Sequence, residues 1–535
     1  MKALLVYAKF PVTYWGFQYG LPMTGTVASL PPLGLVTLAA ALPAHWQLKL
    51  VDLNVRELGD AELRWADVVM VGGMLIQRPS MLEVLERARA LGRPVVVGGP
   101  AGSSCPEAFA RADLLFVGEV EGRAAELGRV VESLVHGDRA AGRSPSSPAS
   151  PRVLRPDGAS YPAMSAVPVP RFDLLELRSY ASMSLQYSRG CPFSCEFCDV
   201  IELFGRVPRV KSAEQLVREL DELYRLGYRG TVFLVDDNFI GNKRAVKELL
   251  AALERWQQGH RRPFEFYTEA SVNLASDPEL LAAMARAGFT AAFLGIETPS
   301  SAALREAGKT QNLQADLGKA VATITAAGIE VMGGFIVGFD HDDPSVFELQ
   351  REFISSMPIP LAMVGVLMAL PNTALWRRLD REGRLCTGAT GDQFSRPNFV
   401  PRMDEQQLLE GYAQLLTQLY SADSYLERCL RYIDASRLTR RSRGIHSLRE
   451  IGTLFRTIWQ LGLRGKRRRH FWRLVGHSLR RAPHTFSWAI CHAIQGEHMV
   501  RYTEQDVLPR LREAIAEVVQ QHGSVRPTLR PARAA

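Results

Sequence analysis

A chain of 535 residues exceeds what one hydrophobic core organises, so two or three domains are expected. Hydrophobic residues make up 47% and charged residues 22%, which excludes the disordered class and leaves ample apolar material for sizeable cores. The formal net charge of +8 gathers largely between Arg437 and Arg481, where neither zinc-finger spacing nor an aromatic RNA-binding signature occurs, so a basic surface is expected and a nucleic-acid partner is not.

The chain opens on MKALLVYA, too short an apolar run for a signal peptide and without a cleavage site. Apolar, β-branched runs at residues 3–8, 48–53, 68–73, 95–100 and 114–119 read as buried parallel strands, and residues 33–42 and 81–91 have helical spacing between them. This is a βαβ series, hence an α/β, doubly wound N-terminal domain over residues 1–136. Gly72, Gly73, Gly98, Gly99 and Gly118, with Glu119 beside the last, fall at strand C-terminal ends, where open sheets bind ligands and a bare backbone can approach one closely.

Residues 137–151 read GDRAAGRSPSSPASP and begin a linker extending to residue 169. A second βα series follows in residues 170–400, with strands expected at 185–189, 231–235, 264–269, 292–296, 331–337 and 363–370, and helices such as 213–226 and 278–287 between them. Six strands with crossover helices predict a partial (β/α)6 barrel whose chemistry sits at the strand C-terminal ends. Residues 401–525 form a helical C-terminal domain, with helical stretches at 405–433 and 451–498, and residues 526–535 a disordered Pro/Arg/Ala tail. No run of about 18 uninterrupted apolar residues occurs, so no membrane span is expected.

Of seven cysteines, three crowd into eight residues while Cys105 and the packing residues Cys386, Cys429 and Cys491 are scattered, which is no disulfide framework and fits a reducing cytoplasm. The crowded set, Ser188-Arg-Gly-Cys191-Pro-Phe-Ser-Cys195-Glu-Phe-Cys198, follows a predicted strand. Thiolates spaced C-x3-C-x2-C wrap three corners of a 4Fe-4S cubane and leave the fourth iron open to chelate a ligand. Structural zinc, the competing reading, wants a fourth ligand that no nearby Cys or His supplies.

Here the sequence resembles the radical S-adenosylmethionine (SAM) superfamily, whose cysteine motif Cys191, Cys195 and Cys198 match. That resemblance implies that the open iron binds SAM and that the reduced cluster, fed by an electron donor such as flavodoxin or ferredoxin, cleaves it to a 5'-deoxyadenosyl radical. Asp236-Asp237-Asn238 ends the second barrel strand, where the superfamily places polar groups near the methionine amine, although it commonly has Gly-Gly-Glu there. Glu297 in Gly295-Ile-Glu-Thr298 occupies the position given to the ribose hydroxyls, and Gly334-Phe-Ile-Val-Gly338 looks like the segment that lets adenine approach the backbone. Glu269, in TEASVNLA, is a further cofactor-binding candidate.

For the first domain, physics leaves a nucleotide, a flavin and a cobalamin open, with no G-x-G-x-x-G and no P-loop. Pro31-Pro-Leu-Gly-Leu35, Gly72-Gly73, Gly98-Gly99-Pro100 and Gly118-Glu119 together look like the cobalamin-binding domain that precedes many radical SAM domains. D-x-H-x-x-G is absent, so cobalamin is expected base-off with no protein histidine on cobalt, and Met74 to Gln77 are candidates for the floor beneath the metal. PRFDLL, SRGCPFSCEFCDV, GRVPRVK, DDNFIGN, FLGIETP, GGFIVGFD, YLERCLRYI and GEHM extend the resemblance over nearly the whole chain, to cobalamin-binding radical SAM proteins with a C-terminal domain of undefined function, to which hopanoid methylases are similar. Methylation of an unactivated carbon in a lipid or secondary metabolite is what this implies; a cobalamin-assisted rearrangement is the alternative. A methylthiotransferase would need a second N-terminal cysteine triplet, and a cobalamin sensor would not need this one. Finally, Trp459, Phe471, Trp472, Phe486 and Trp488 interleave with Arg464, Lys466, Arg467, Arg468, Arg469, Arg473, Arg480 and Arg481, the mixture either of a helical surface resting on anionic headgroups or of arginines on a solvated helix face with the aromatics packed on the barrel. The expected location is cytoplasmic, with peripheral membrane contact on the first of these two readings.

Overall fold

The computed structural model describes residues 1–140, 151–155, 161–436 and 448–523; the predicted disordered tail lies outside them. Six parallel strands form the first sheet: β1 (Lys2–Tyr7), β2 (Gln47–Asp52), β3 (Val68–Gly72), β4 (Val95–Gly98), β5 (Leu114–Phe116) and β6 (Arg152–Leu154), in the order β2-β1-β3-β4-β5-β6. Its inner strands are apolar throughout because helices cover both faces. Leu4, Val6, Val69 and Val71 join one core, while Ala3, Leu5, Val68 and Met70 join the other.

After β7 (Ser182–Leu185) the chain makes a two-residue antiparallel pair, β8 (Ser188–Arg189) with β9 (Arg209–Val210), around the cysteine loop. It then completes a second parallel sheet with β10 (Gly230–Leu234), β11 (Phe264–Ala270), β12 (Phe289–Glu297), β13 (Glu330–Val337) and β14 (Ala362–Val366), in the order β7-β10-β11-β12-β13-β14. This is the half-barrel that six strands and crossover helices predict. Local signals set the intervening helices. Ser212 caps Ala213–Arg225 through a reciprocal box with Gln215, and Asp277 caps Pro278–Ala287, which ends on Gly288 in the left-handed region.

Several boundaries differ from the sequence expectation. The strand expected at 95–100 stops at Gly98, because Gly99 opens a short helix, and the one expected at 114–119 stops at Phe116. A strand expected at 185–189 is two elements, since the chain turns at Gln186 and Tyr187 to start the cysteine loop. β6 lies in a stretch expected as linker; three residues on a sheet edge carry no readable alternation. Helix over 451–498 is interrupted near Gly462 and Gly465 and at Pro483, giving Leu448–Thr457, Ile458–Leu463, Arg468–Arg481 and Phe486–Tyr502.

The N-terminal segment ties the domains together. Tyr14 is buried against Phe394, Tyr420 and Tyr502, with ring centroids 5.0, 5.3 and 4.7 Å away, and its hydroxyl shares a hydrogen bond with Thr503. His498 accepts from the Tyr19 amide at 3.3 Å and pairs with the Thr13 carbonyl at 3.0 Å.

Candidate active site between the two sheets

A cavity of about 2160 Å³ joins the carboxyl end of the first sheet to the lumen of the half-barrel. Gly72, Gly73, Gly98, Gly99, Gly118 and Glu119 line its first-sheet end, and Asp236, Asp237 and Glu269 line the barrel mouth beyond them. The two sheets converge through a buried ion-pair network: Arg189 binds Glu119 at 2.5 Å and Glu121 at 2.8 and 2.9 Å, and Arg209 binds Glu119 at 2.5 Å. Glu119 is thus committed to two arginines of the cysteine-loop hairpin rather than free for a ligand.

That hairpin fixes the cysteines. Gly190 has φ +91, and a Cβ there would lie 2.8 Å from the Gly205 carbonyl oxygen, so only glycine lets the strand pass before Cys191. The Cys191 amide donates to the Gly205 carbonyl, and the Glu196 amide to Ala307. Burial pushes all three thiols, Cys191, Cys195 and Cys198, above their ordinary range. Among the described residues no three Cys, His, Asp or Glu side chains converge as a mononuclear metal site requires. Three thiols supplied by one short loop are the donor set that a 4Fe-4S cubane with one open iron needs. Asn238 Nδ2 lies 3.9 Å from Cys191 Sγ and Gln311 Nε2 4.0 Å from Cys195 Sγ.

Lys309 adds a cation that sequence reasoning missed. Its Nζ lies 2.5 Å from Glu297 Oε1, and although burial disfavours its charge, the Glu297 carboxylate holds it protonated. Glu297 itself sits at φ +66, in the left-handed region rare for a non-glycine residue.

Toward the lumen three carboxyls crowd together. Burial pushes Asp236 up to about 6 and Asp237 up to about 7. Glu269 rises to about 8, through burial first and then the charges of Asp237 and Asp236. Asp236 is held by the Ser188 hydroxyl at 2.5 Å and by the Tyr187 amide at 3.2 Å. A mutually repelling acidic set at the mouth of the cysteine loop fits a cationic ligand, and SAM carries both an ammonium and a sulfonium.

Other candidates are placed differently. Gly334 does not line the cavity, because a Cβ there would lie 2.5 Å from the Phe293 ring: its missing side chain makes room for an aromatic neighbour. Gly338, at φ +100, is a backbone requirement. Met74 and Ile76 face the cavity, whereas Gln77 is buried, accepting from the Met74 amide and donating to the Ala8 carbonyl. The glycine-edged end fits a flat, bulky ligand: Gly99 and Gly118 have φ +83 and +90, and a Cβ at Gly99 would add bulk 3.6 Å from the Gly73 carbonyl. Trp488 is not at a free surface: it stacks on Tyr432 and His492 and donates to Glu330. Phe471 is buried as well.

Residues 24–128 match the B12 binding domain, residues 185–352 the Radical SAM superfamily and residues 373–508 the Domain of unknown function (DUF4070). An uncharacterized methyltransferase of Synechocystis sp. is 41% identical, over 99% of this chain and 97% of its own. Hopanoid C-2 methylase of Rhodopseudomonas palustris is 36% identical, over 89% of this chain and 88% of its own. The solved structure of the cobalamin-dependent S-adenosylmethionine radical enzyme OxsB, with aqua-cobalamin and S-adenosylmethionine bound, shares the fold at a TM-score of 0.56 and 15% identity, over 98% of this chain and 84% of its own. The glycine-edged sheet falls within the B12-binding match and the C-x3-C-x2-C loop within the Radical SAM match, and the chain belongs to the family of cobalamin-binding radical SAM methyltransferases that includes hopanoid C-2 methylase.

Proposed function

We propose that this chain methylates an unactivated carbon of a largely apolar small molecule, a lipid or secondary metabolite, held in the barrel lumen. The observation that carries this reading is the single cavity joining the glycine-edged sheet to the acidic mouth of the cysteine loop and continuing into an aromatic waist of Phe233, Tyr267, Phe293 and Trp15. Phe233 stacks on Tyr267 at 4.5 Å and Trp15 meets Phe293 edge-on at 4.9 Å. Such walls exclude water and orient a hydrophobic skeleton. Cys191, Cys195 and Cys198 would hold the cluster, Asp236, Asp237 and Glu269 the cationic end of SAM, the Glu297–Lys309 pair its remaining polar groups, and the edge from Gly72 to Gly118 the cobalamin. Bound together, these groups supply hydrogen abstraction and methyl transfer to carbon, with a small donor such as flavodoxin or ferredoxin delivering the electron. Hopanoid C-2 methylase acts, by its name, on a polycyclic lipid, which favours a lipid here. Mass spectrometry of lipid and small-molecule extracts with and without the gene tests the reading: a product heavier by one methylene is expected, and a product isomeric with its precursor would replace methylation by rearrangement.

The tail supports peripheral membrane contact. Among the described residues no helix is long and apolar enough to cross a membrane. Ile451, Phe455, Trp459 and Leu463 recur every fourth residue and are exposed, as is Trp472, and Arg464 lies 4.4 Å over the Trp459 ring. Exposed Lys466, Arg468, Arg469 and Arg473 flank this stripe. Each basic residue contributes at most about 1 kcal/mol at an anionic surface, so binding is expected to be reversible and salt-sensitive. Co-sedimentation with anionic liposomes at low salt, lost at high salt, is the expected result; failure to pellet at low salt removes the membrane role.

A further inference from the structure

The lumen-facing residues of the half-barrel follow the two-residue period of its strands: Thr231, Phe233 and Val235; Glu265, Tyr267 and Glu269; Ala291 and Phe293; Glu330 and Met332. The lumen is therefore acidic at the cysteine-loop end, aromatic in the middle, and polar again at the opposite, basal end. There Glu330, the first residue of β13, is 6% exposed. Its Oε2 accepts from Trp488 Nε1 at 2.7 Å and pairs with His492 Nε2 at 3.0 Å, while its Oε1 is buried without a hydrogen-bond partner among the described residues. His492 is in turn fixed by the Tyr425 hydroxyl 3.2 Å from Nδ1 and by its stack on Trp488 at 3.9 Å. A buried carboxylate oriented on one oxygen, with the other oxygen unsatisfied in a lumen wall, is a costly arrangement unless something donates to it.

We propose that Glu330 is a substrate-positioning residue, accepting a hydrogen bond from a hydroxyl or ammonium group at the end of the substrate remote from the methylated carbon. The inference rests on the methyl-transfer reading for where the reacting carbon lies. Four to six residues of β13 separate Glu330 from the level of Gly334 and Ile336, about 13–20 Å at roughly 3.3 Å per residue, so the donor group and the reacting carbon stand about that far apart. A rigid, elongated skeleton with one polar end fits that span, with the aromatic waist along its middle. The basal end is also open: exposed Arg229, Arg261, Arg262 and Cys491 line the same cavity, so a long molecule can enter away from the cofactors.

Diplopterol, a hopanoid with one terminal hydroxyl, and hopane, the same skeleton without it, probe this directly. Retention of each radiolabelled probe is measured on the reconstituted holoenzyme and on its E330Q and E330D variants. Wild type is expected to bind diplopterol about ten-fold more tightly than hopane, E330Q to lose that preference, and E330D to lose part of it, because the carboxylate withdraws by one methylene. SAM cleavage without substrate should stay at the wild-type rate in both variants, since Glu330 lies at the far end of β13 from the cofactor groups. Equal binding of the two probes by wild type, or an undiminished preference in E330Q, overturns the proposal; should E330Q fail to fold, an undiminished preference in E330D does so. Methylation is scored separately: preferential binding without a methylated product refutes the functional reading and leaves the anchor standing.

Discussion

Arg189 immediately precedes Gly190 and Cys191, and it carries the charge that joins the two sheets, so its replacement by methionine tests whether domain docking and cluster assembly are coupled. The side chains of Arg189, Glu119 and Glu121 are 12%, 4% and 3% exposed. Arg189→Met removes four hydrogen bonds, one to Gln186 and three to the glutamates, but the two glutamates fare differently: Glu119 keeps Arg209 at 2.5 and 3.1 Å, whereas Glu121 loses both of its short contacts. One buried charge is thus left uncompensated, a cost of about 3–5 kcal/mol. Burial by itself would raise Glu121, and it is Arg189 that holds it below the usual carboxylate range. In the variant Glu121 is released toward protonation, which places the expected loss at the low end, about 3 kcal/mol. Anaerobic urea denaturation gives the loss as a lowered midpoint, and iron content after reconstitution reports the cysteine loop. Adding Glu121→Gln to Arg189→Met removes the stranded charge and is expected to recover much of the stability and the iron. A single variant within about 1 kcal/mol of wild type, or a double variant no better than the single, would refute this account.

Cys195→Ala should abolish reductive SAM cleavage, whereas Cys429→Ala, at a fully buried packing cysteine, should retain cleavage and lose about 1 kcal/mol of stability; full cleavage in Cys195→Ala would sink the cluster assignment. Lys309→Met strands Glu297 in a site where both side chains are at most 12% exposed, so a loss of about 3 kcal/mol and a more negative cluster midpoint in an electron paramagnetic resonance redox titration are expected; an unchanged midpoint would show that the ammonium does not act on the cluster. Burial depresses His498 to about 4 from an ordinary value near 6.5, so the unfolded chain takes up that proton first and stability should fall as pH drops from about 6.5 toward 4, by up to about 3 kcal/mol. His498→Gln should flatten that part of the pH profile in thermal denaturation, and an unaltered profile would assign the acid sensitivity elsewhere.

The parts of the fold and site legible from sequence are those written in local pattern. Continuous apolar runs mark β1, β3 and β4 because helices cover both faces of the first sheet, and the cysteine spacing marks its loop because three ligands must come from one short segment. Contacts made only by tertiary approach were not legible. Lys309 lies 111 residues beyond Cys198, on a loop that reaches the thiols only after β12 has turned back, and no motif announces it. Glu119 was legible as a position but not in its role, since its arginine partners come from the opposite sheet. The aromatic waist was in principle readable, because Phe233, Tyr267 and Phe293 sit at alternate positions with other lumen residues, yet period-two alternation does not say which face is a core and which a cavity. Trp488 reads as an amphipathic surface residue beside its arginines, and only its pairing with Glu330 shows that it belongs to the lumen.

That pairing bears on why a half-barrel carries so large a helical domain. These six strands do not close into a barrel, so β14 is an edge whose unpaired backbone groups must be satisfied and whose flank must be covered. Side chains of the C-terminal helices do both. Tyr412 Oη donates to the Val364 carbonyl at 2.7 Å, Tyr420 donates to Ala362, and buried Arg428 donates to the carbonyls of Ile359 and Pro360 just before the strand. The Val366 amide donates to Gln393 at 2.9 Å. Arg428 is 1% exposed and burial lowers its pKa; among the described residues no acidic partner compensates it and its guanidinium donates to backbone carbonyls, an arrangement that tolerates little movement of the helix Ala422–Ala435 against the edge. The helix Phe486–Tyr502 meanwhile sets Trp488 and His492 on Glu330 at the lumen base. One domain thus finishes the sheet edge with tyrosines and an arginine and shapes the floor of the cavity with the next helices, so changes in those floor residues can alter what the lumen holds without disturbing the cluster loop at its other end.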